Sequence, residues 1–106
     1  MRIYVAGPLN SDAVNYIKNV HRMMKVAIAL KKKGHAPYVP CLDVLLGFLA
    51  GDWEYADYAE VNLEYVDVCE ALFLMAHSPG ATREFDRARG QDKIIYTKLE
   101  EVPDES

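Results

Sequence analysis

ALFLMA, residues Ala71 to Ala76, is a continuous apolar run of strand length with no polar residue in it. A strand that shows one face to water alternates apolar and polar side chains, so a run without alternation has to be covered on both faces. Covering both faces takes layers of helix, and helical patterns lie on either side of this run. It is much shorter than the roughly 18 apolar residues that a membrane span needs. A chain of 106 residues supports one core and one domain, not two.

The remaining elements fall in place around that strand. RIYVA predicts a strand over Arg2–Ala6 that stops at Gly7-Pro8. Asn10, Ser11 and Asp12 are helix-capping residue types, and a long helical pattern follows. Ala13, Val14, Ile17, Val20, Met24, Ala27 and Ile28 recur at three- and four-residue spacing, which predicts one core-facing stripe. Gly34 ends this helix as a C′ glycine, and Lys31 to Lys33 in its last turn suit the helix dipole. His35 to Val39 reads as a second strand, closed by Pro40. CLDVLLGFLAG reads as a short covering helix, with Asp52 capping a second long helix from about Trp53 to Val68. After the apolar strand come a helix from about Gly80 to Arg89, then Gly90, then a last strand over Lys93–Thr97. The acidic tail LEEVPDES, residues 99–106, contains Pro103 and is expected to fray. Residues 1–98 are thus one domain of α/β class: a small Rossmann-like or flavodoxin-like three-layer fold. Its parallel sheet has about four to five strands, with helices on both faces.

Composition narrows the partners. A net charge of −4 disfavours a nucleic-acid polymer, which asks for a basic face. No signal peptide is apparent, and a soluble protein of the reducing cytoplasm is expected, with no membrane association. Cys41 and Cys69 sit in different kinds of segment and read as ordinary buried thiols. With three scattered histidines, no metal site is expected and no cofactor is called for.

In a parallel α/β sheet, ligands lie outside the carboxyl ends of the strands. Three segments meet there: GPLNSD, PCLD and HSPGATRE. GPLNSD is a glycine turn before a helix N-terminus, which favours a small anionic or polar group. It matches neither the dinucleotide fingerprint nor a P-loop. In SPGATRE, Pro79-Gly80 reads as the turn, Gly80 admits a ligand to the backbone, and Glu84 falls in about the first helical turn. A carboxylate there is held ionised, which suits a nucleophile or an electrostatic stabiliser; it is also a common helix-start residue. Arg83 and Arg87 flank it as possible partners. On the second long helix, Tyr55, Tyr58, Ala59, Tyr65, Val66 and Cys69 lie within about 60° of Asn62 at about 100° per residue. Asn62 is therefore a polar group on an apolar face, there for a ligand or for a neighbouring loop. Asp57, Glu60, Glu64 and Asp67 form a solvated stripe opposite. Tyr4 reaches the site or simply packs, and Trp53 and Tyr55 stack on a base or belong to the core.

Taken together, IYVAGPLN, GHAPYVP and NLEYVDVCEALFLMAHSPGATREFDRA resemble the nucleoside 2-deoxyribosyltransferase-like superfamily over nearly the whole chain. They are most similar to its small branch with a Tyr-(Val/Ile)-Ala-Gly-Pro N-terminus. The resemblance implies cleavage or transfer at the N-glycosidic bond of a (deoxy)nucleoside or nucleoside 5′-monophosphate. Glu84 would be the nucleophile, Tyr4 its holder, and Ser78 a phosphate contact where transferases carry a base-reading aspartate. Gly7, Pro8, Asn10 and Ser11 would hold sugar or phosphate beside Gly80. It further implies a homodimer or higher homo-oligomer whose neighbouring subunit completes the pocket. Asn62 departs from the pattern, since relatives commonly carry an aspartate there that assists the leaving base. An amide orients a sugar or base edge but delivers no proton at neutral pH. The turn after the first strand also lacks an arginine from Gly7 to Asp12. The alternative from another class is a non-catalytic nucleotide-binding module on the same fold. A phosphoribohydrolase, whose glycine-rich motif SPGATRE matches only in part, is a weaker reading.

Overall fold

The computed structural model describes residues 1–8, 13–40, 51 and 53–106, the side chains of Ala13 and Tyr55 excepted. Residues 41–50 of the expected short helix, Cys41 among them, and the candidate residues Asn10, Ser11, Asp12 and Asp52 therefore lie outside the described residues.

β1 (Arg2–Ala6) sends Ile3 and Val5 to one side and Tyr4 and Ala6 to the other, and all four are buried. It is the strand on which both layers are built. β2 (Ala36–Tyr38) and β3 (Ala71–Leu74) pair with it in parallel, and β4 (Ile94–Tyr96) pairs in parallel with β3. The four-stranded order is β2-β1-β3-β4. Chain order reverses between β1 and β3, which is where such a sheet opens a crevice at its carboxyl edge.

α1 (Ala13–Lys32) covers the face that carries Ile3, Val5, Ala71 and Phe73, burying Met23 and Leu30 there. α2 (Tyr55–Val68) and α3 (Pro79–Gly90) cover the other face, where Val66, Cys69, Ala81 and Ala88 meet Tyr4, Ala6, Leu72 and Leu74. The three-layer α/β reading thus holds, with four strands among the described residues. β3 is buried throughout, as the unbroken run demanded.

Three expectations need correction. The outward side of α1 carries most of the predicted core stripe: Val14, Ile17 and Ile28 are 62%, 64% and 57% exposed. Met23 and Leu30, absent from that stripe, are the residues that face the sheet. The tail does not fray. Leu99–Glu101 form a turn of 3-10 helix, Val102 is buried in the α1 layer, and Lys33 Nζ donates to the carbonyls of Leu99 and Val102 at 2.8 and 3.0 Å. Gly34, at φ +92°, lets the tail pass: a Cβ there would stand 2.6 Å from the Glu105 carbonyl oxygen. Finally, the acidic stripe of α2 is not all solvated. Asp67 accepts from Arg87 Nε and Nη2 at 2.8 and 2.6 Å and from Gln91 at 2.7 Å, so it ties α2 to α3. Lys93 Nζ completes that corner by donating to the carbonyls of Asp67 and Cys69 at the end of α2.

Candidate active site

Ser78, not the Pro-Gly pair, begins the helix after β3. Its Oγ accepts from the Ala81 amide at 3.1 Å, and Pro79 occupies the first helical position, where its missing N–H costs nothing. Gly80 is therefore a helical residue. Glu84 falls in the second turn of α3 rather than the first, so neither capping nor the helix dipole accounts for it.

What accounts for its position is Tyr4. The Tyr4 hydroxyl donates to Glu84 Oε2 at 2.8 Å, between a fully buried tyrosine and a glutamate that keeps only 8% exposure. Burial, the neighbouring Glu84 charge and the hydrogen bond all push the phenol well above its ordinary pKa. Tyr4 thus stays protonated across the working pH range and remains a donor. Gly80 lies four residues before Glu84 on the same face of the helix and brings no side chain to it. The carboxylate accepts the Tyr4 hydroxyl at Oε2, one helical turn after Gly80.

The other candidates take different places. Gly7 is buried at the end of β1 and Pro8 follows it half-buried. A Cβ on Gly7 would make only ordinary contacts with Met75 and Met23, so the fold itself does not require glycine there. Ser78 is half-buried, its oxygen engaged as the cap. Asn62 is half-buried rather than enclosed, and its side chain makes no hydrogen bond to a described residue. Of the two arginines beside Glu84, Arg87 is committed to Asp67. Trp53 leans on Tyr58 with ring centroids 5.3 Å apart, a contact within the α2 region.

Sequence reasoning missed Tyr38 and Arg22. Tyr38, the last residue of β2, lies against Tyr4 with ring centroids 5.6 Å apart, and Tyr65 of α2 stacks on Tyr38 at 4.4 Å. Strand register would have found Tyr38, because parallel pairing sets Tyr38 opposite Tyr4. With Pro8, Asn19, Met23, Met75 and Ala76, Arg22 lines a cavity of about 120 Å³ on the α1 side of the crevice. Among the described residues, no three metal-binding side chains converge.

The comparisons with known proteins bear on this geometry. The profile of DUF4406, a domain of unknown function, matches residues 1–97. The chain belongs to the DUF4406 family. No curated protein sequence matches it. Solved structures with the same fold include the 2-deoxyribosyltransferase of the psychrotolerant bacterium Bacillus psychrosaccharolyticus, at 18% identity and a TM-score of 0.68. That match covers 90% of this chain and 69% of that one. The 2-desoxiribosyltransferase of Leishmania mexicana matches at 18% identity and a TM-score of 0.64, over 89% of this chain and 61% of that one. This DUF4406 chain has a nucleoside 2-deoxyribosyltransferase-like fold, and spans about two thirds of the length of those enzymes. Among its described residues, no helix is long and apolar enough to cross a membrane.

Proposed function

We propose that this DUF4406 chain cleaves or transfers at the N-glycosidic bond of a (deoxy)nucleoside or nucleoside 5′-monophosphate, with Glu84 as the nucleophile. The observation that carries the reading is the buried hydrogen bond from Tyr4 of β1 to Glu84 of α3. A buried carboxylate costs free energy unless it is satisfied, and a helix-stabilising ornament would sit exposed in the first turn.

In the first step a Glu84 carboxylate oxygen attacks the anomeric carbon as the bond to the base nitrogen breaks. The electron pair of that bond leaves with the base, which takes up a proton. The positive charge that develops on the sugar is met by the carboxylate, and a glycosyl ester forms. Water then attacks the same carbon and releases Glu84, giving hydrolysis; a second base in place of water gives transfer. Tyr4 stays protonated throughout and fixes one carboxylate oxygen. Asn62 orients the sugar or a base edge, and the proton for the leaving base comes from another group or from water. Ser78 and Gly80 at the helix start, Gly7 and Pro8 at the end of β1, and Asn10 and Ser11 beyond it are the binding contacts in this reading. No cofactor is needed. Arg22 beside Pro8 offers the cation that the local turn lacks, which favours a substrate bearing a phosphate. A homo-oligomer of the cytoplasm completes the proposal.

A second reading is a nucleotide-binding module without turnover, and the amide at Asn62 is what favours it. The two separate in one assay, in which purified protein is incubated with ribo- and 2′-deoxynucleosides and their 5′-monophosphates, with and without a second free base. Free base is expected from one substrate class. Glu84→Gln should lower its release about a thousandfold or more. Thermal stabilisation by a nucleotide that stays intact would favour the binding module.

A further inference from the structure

Tyr4 stands between two cross-strand neighbours on its face of the sheet: Leu72 of β3 and Tyr38 of β2. Leu72 is fully buried and belongs to the core. Tyr38 sits at the end of β2, the edge strand among the described residues, and is only half-buried. Its ring tilts 32° to that of Tyr4, and Tyr65 from α2 stacks on it at 12°. Three elements thus contribute one ring each to a column that runs from the buried Tyr4 outward to Tyr65, which is 42% exposed.

We infer that Tyr38, braced by Tyr65, is a positioning residue that sets the point from which the Tyr4 hydroxyl donates to Glu84. A phenol oxygen lies on the long axis of its ring. Spinning the ring therefore leaves the oxygen in place, whereas leaning the ring sideways carries it away from its acceptor. Leu72 blocks the lean on one side and Tyr38 blocks it on the other. The stack with Tyr65 keeps the Tyr38 ring from turning aside, because offset ring pairs resist rotation more than a lone aliphatic contact does. In the column, α2 thereby acts on Glu84 through Tyr38 and Tyr4. The catalytic part of this inference rests on the proposed role of Glu84, but the positioning itself does not.

The test separates the two. The ¹³Cζ resonance of Tyr4 reports its hydrogen bond whether or not any substrate turns over, and Glu84→Gln supplies the reference for an altered acceptor. Tyr38→Leu is expected to move that resonance toward the Glu84→Gln position, and Tyr38→Phe to bring it back to the wild-type position. With the substrate identified by base release, Tyr38→Leu should lower kcat about 10–100-fold while KM changes less than about threefold, since a misplacement near 1 Å costs up to about 10²-fold. Tyr65→Ala, at an exposed position that leaves the core intact, should give the same change in smaller degree and covers the case in which Tyr38→Leu does not fold. An unchanged Tyr4 resonance in Tyr38→Leu, or in Tyr65→Ala if the former does not fold, overturns the inference. Wild-type protein that releases no base while the resonance responds as expected overturns the proposed function and leaves the positioning role standing.

Discussion

Glu84 shows how far one side chain can be read from its neighbours in sequence. SPGATRE marks a helix start with a carboxylate close behind, and that much is legible. What that stretch does not show is its partner Tyr4, eighty residues away and joined to Glu84 by a 2.8 Å hydrogen bond. The resemblance to a known superfamily named the pair; the residues alone left Tyr4 divided between site and packing. Burial also decides which substitution is informative. Glu84→Ala leaves the Tyr4 hydroxyl buried with no acceptor, whereas Glu84→Gln keeps the shape and an acceptor oxygen. The alanine variant should therefore be less stable than the glutamine variant by about 1–3 kcal/mol, measured by urea denaturation. Equal stabilities would mean that the hydroxyl finds another acceptor.

At the scale of elements, α1 carries the clearest lesson. Apolar residues occur nearly all round it, so the periodic pattern contains two stripes, and spacing alone does not say which one faces the sheet. Val14, Ile17 and Ile28 look outward, alongside Lys18 and Lys25, while Met23 and Leu30 meet the strands. Truncating the inner residues, Met23→Ala or Leu30→Ala, should cost about 2–5 kcal/mol. Ile17→Ala and Ile28→Ala should stay within about 0.5 kcal/mol in monomeric protein. The reverse ranking in equilibrium unfolding would mean that the helix is rotated from the setting described. The turn read at Pro79-Gly80 differs from the structure for a related reason. Pro79-Gly80 reads as a turn because both residues favour turns, yet Ser78 caps a helix at that point and Pro79 fits its first position.

For the molecule as a whole, the alternation of strands and helices was enough to give a parallel sheet with two helical layers. The order of the strands, β2-β1-β3-β4, was not contained in that alternation. The tail was not legible, because its anchors are long-range: Val102 enters the α1 layer, and Lys33 and Gly34 receive the backbone around it. Ion pairs between elements predict the acid behaviour. Arg87 and Gln91 hold the Asp67 carboxyl down at about 2, and Arg2 holds Glu70 down at about 2. Both folded-state values lie below the unfolded range near 4, so their contribution is complete above that range and is lost as pH falls toward 2. Exposed pairs contribute modestly. Thermal melts from pH 7 to 2 should show stability falling mainly below about pH 4, and Asp67→Asn should flatten part of that fall. An unaltered profile in Asp67→Asn would remove the pair from the account.

The most direct measurement of the central claim is intact-protein and peptide mass spectrometry after rapid acid quenching of the protein with the substrate that yields free base. The account predicts one added glycosyl group, located on the peptide that contains Glu84 and absent from Glu84→Gln. Base release with no adduct at Glu84, or with the adduct on another residue, would contradict it.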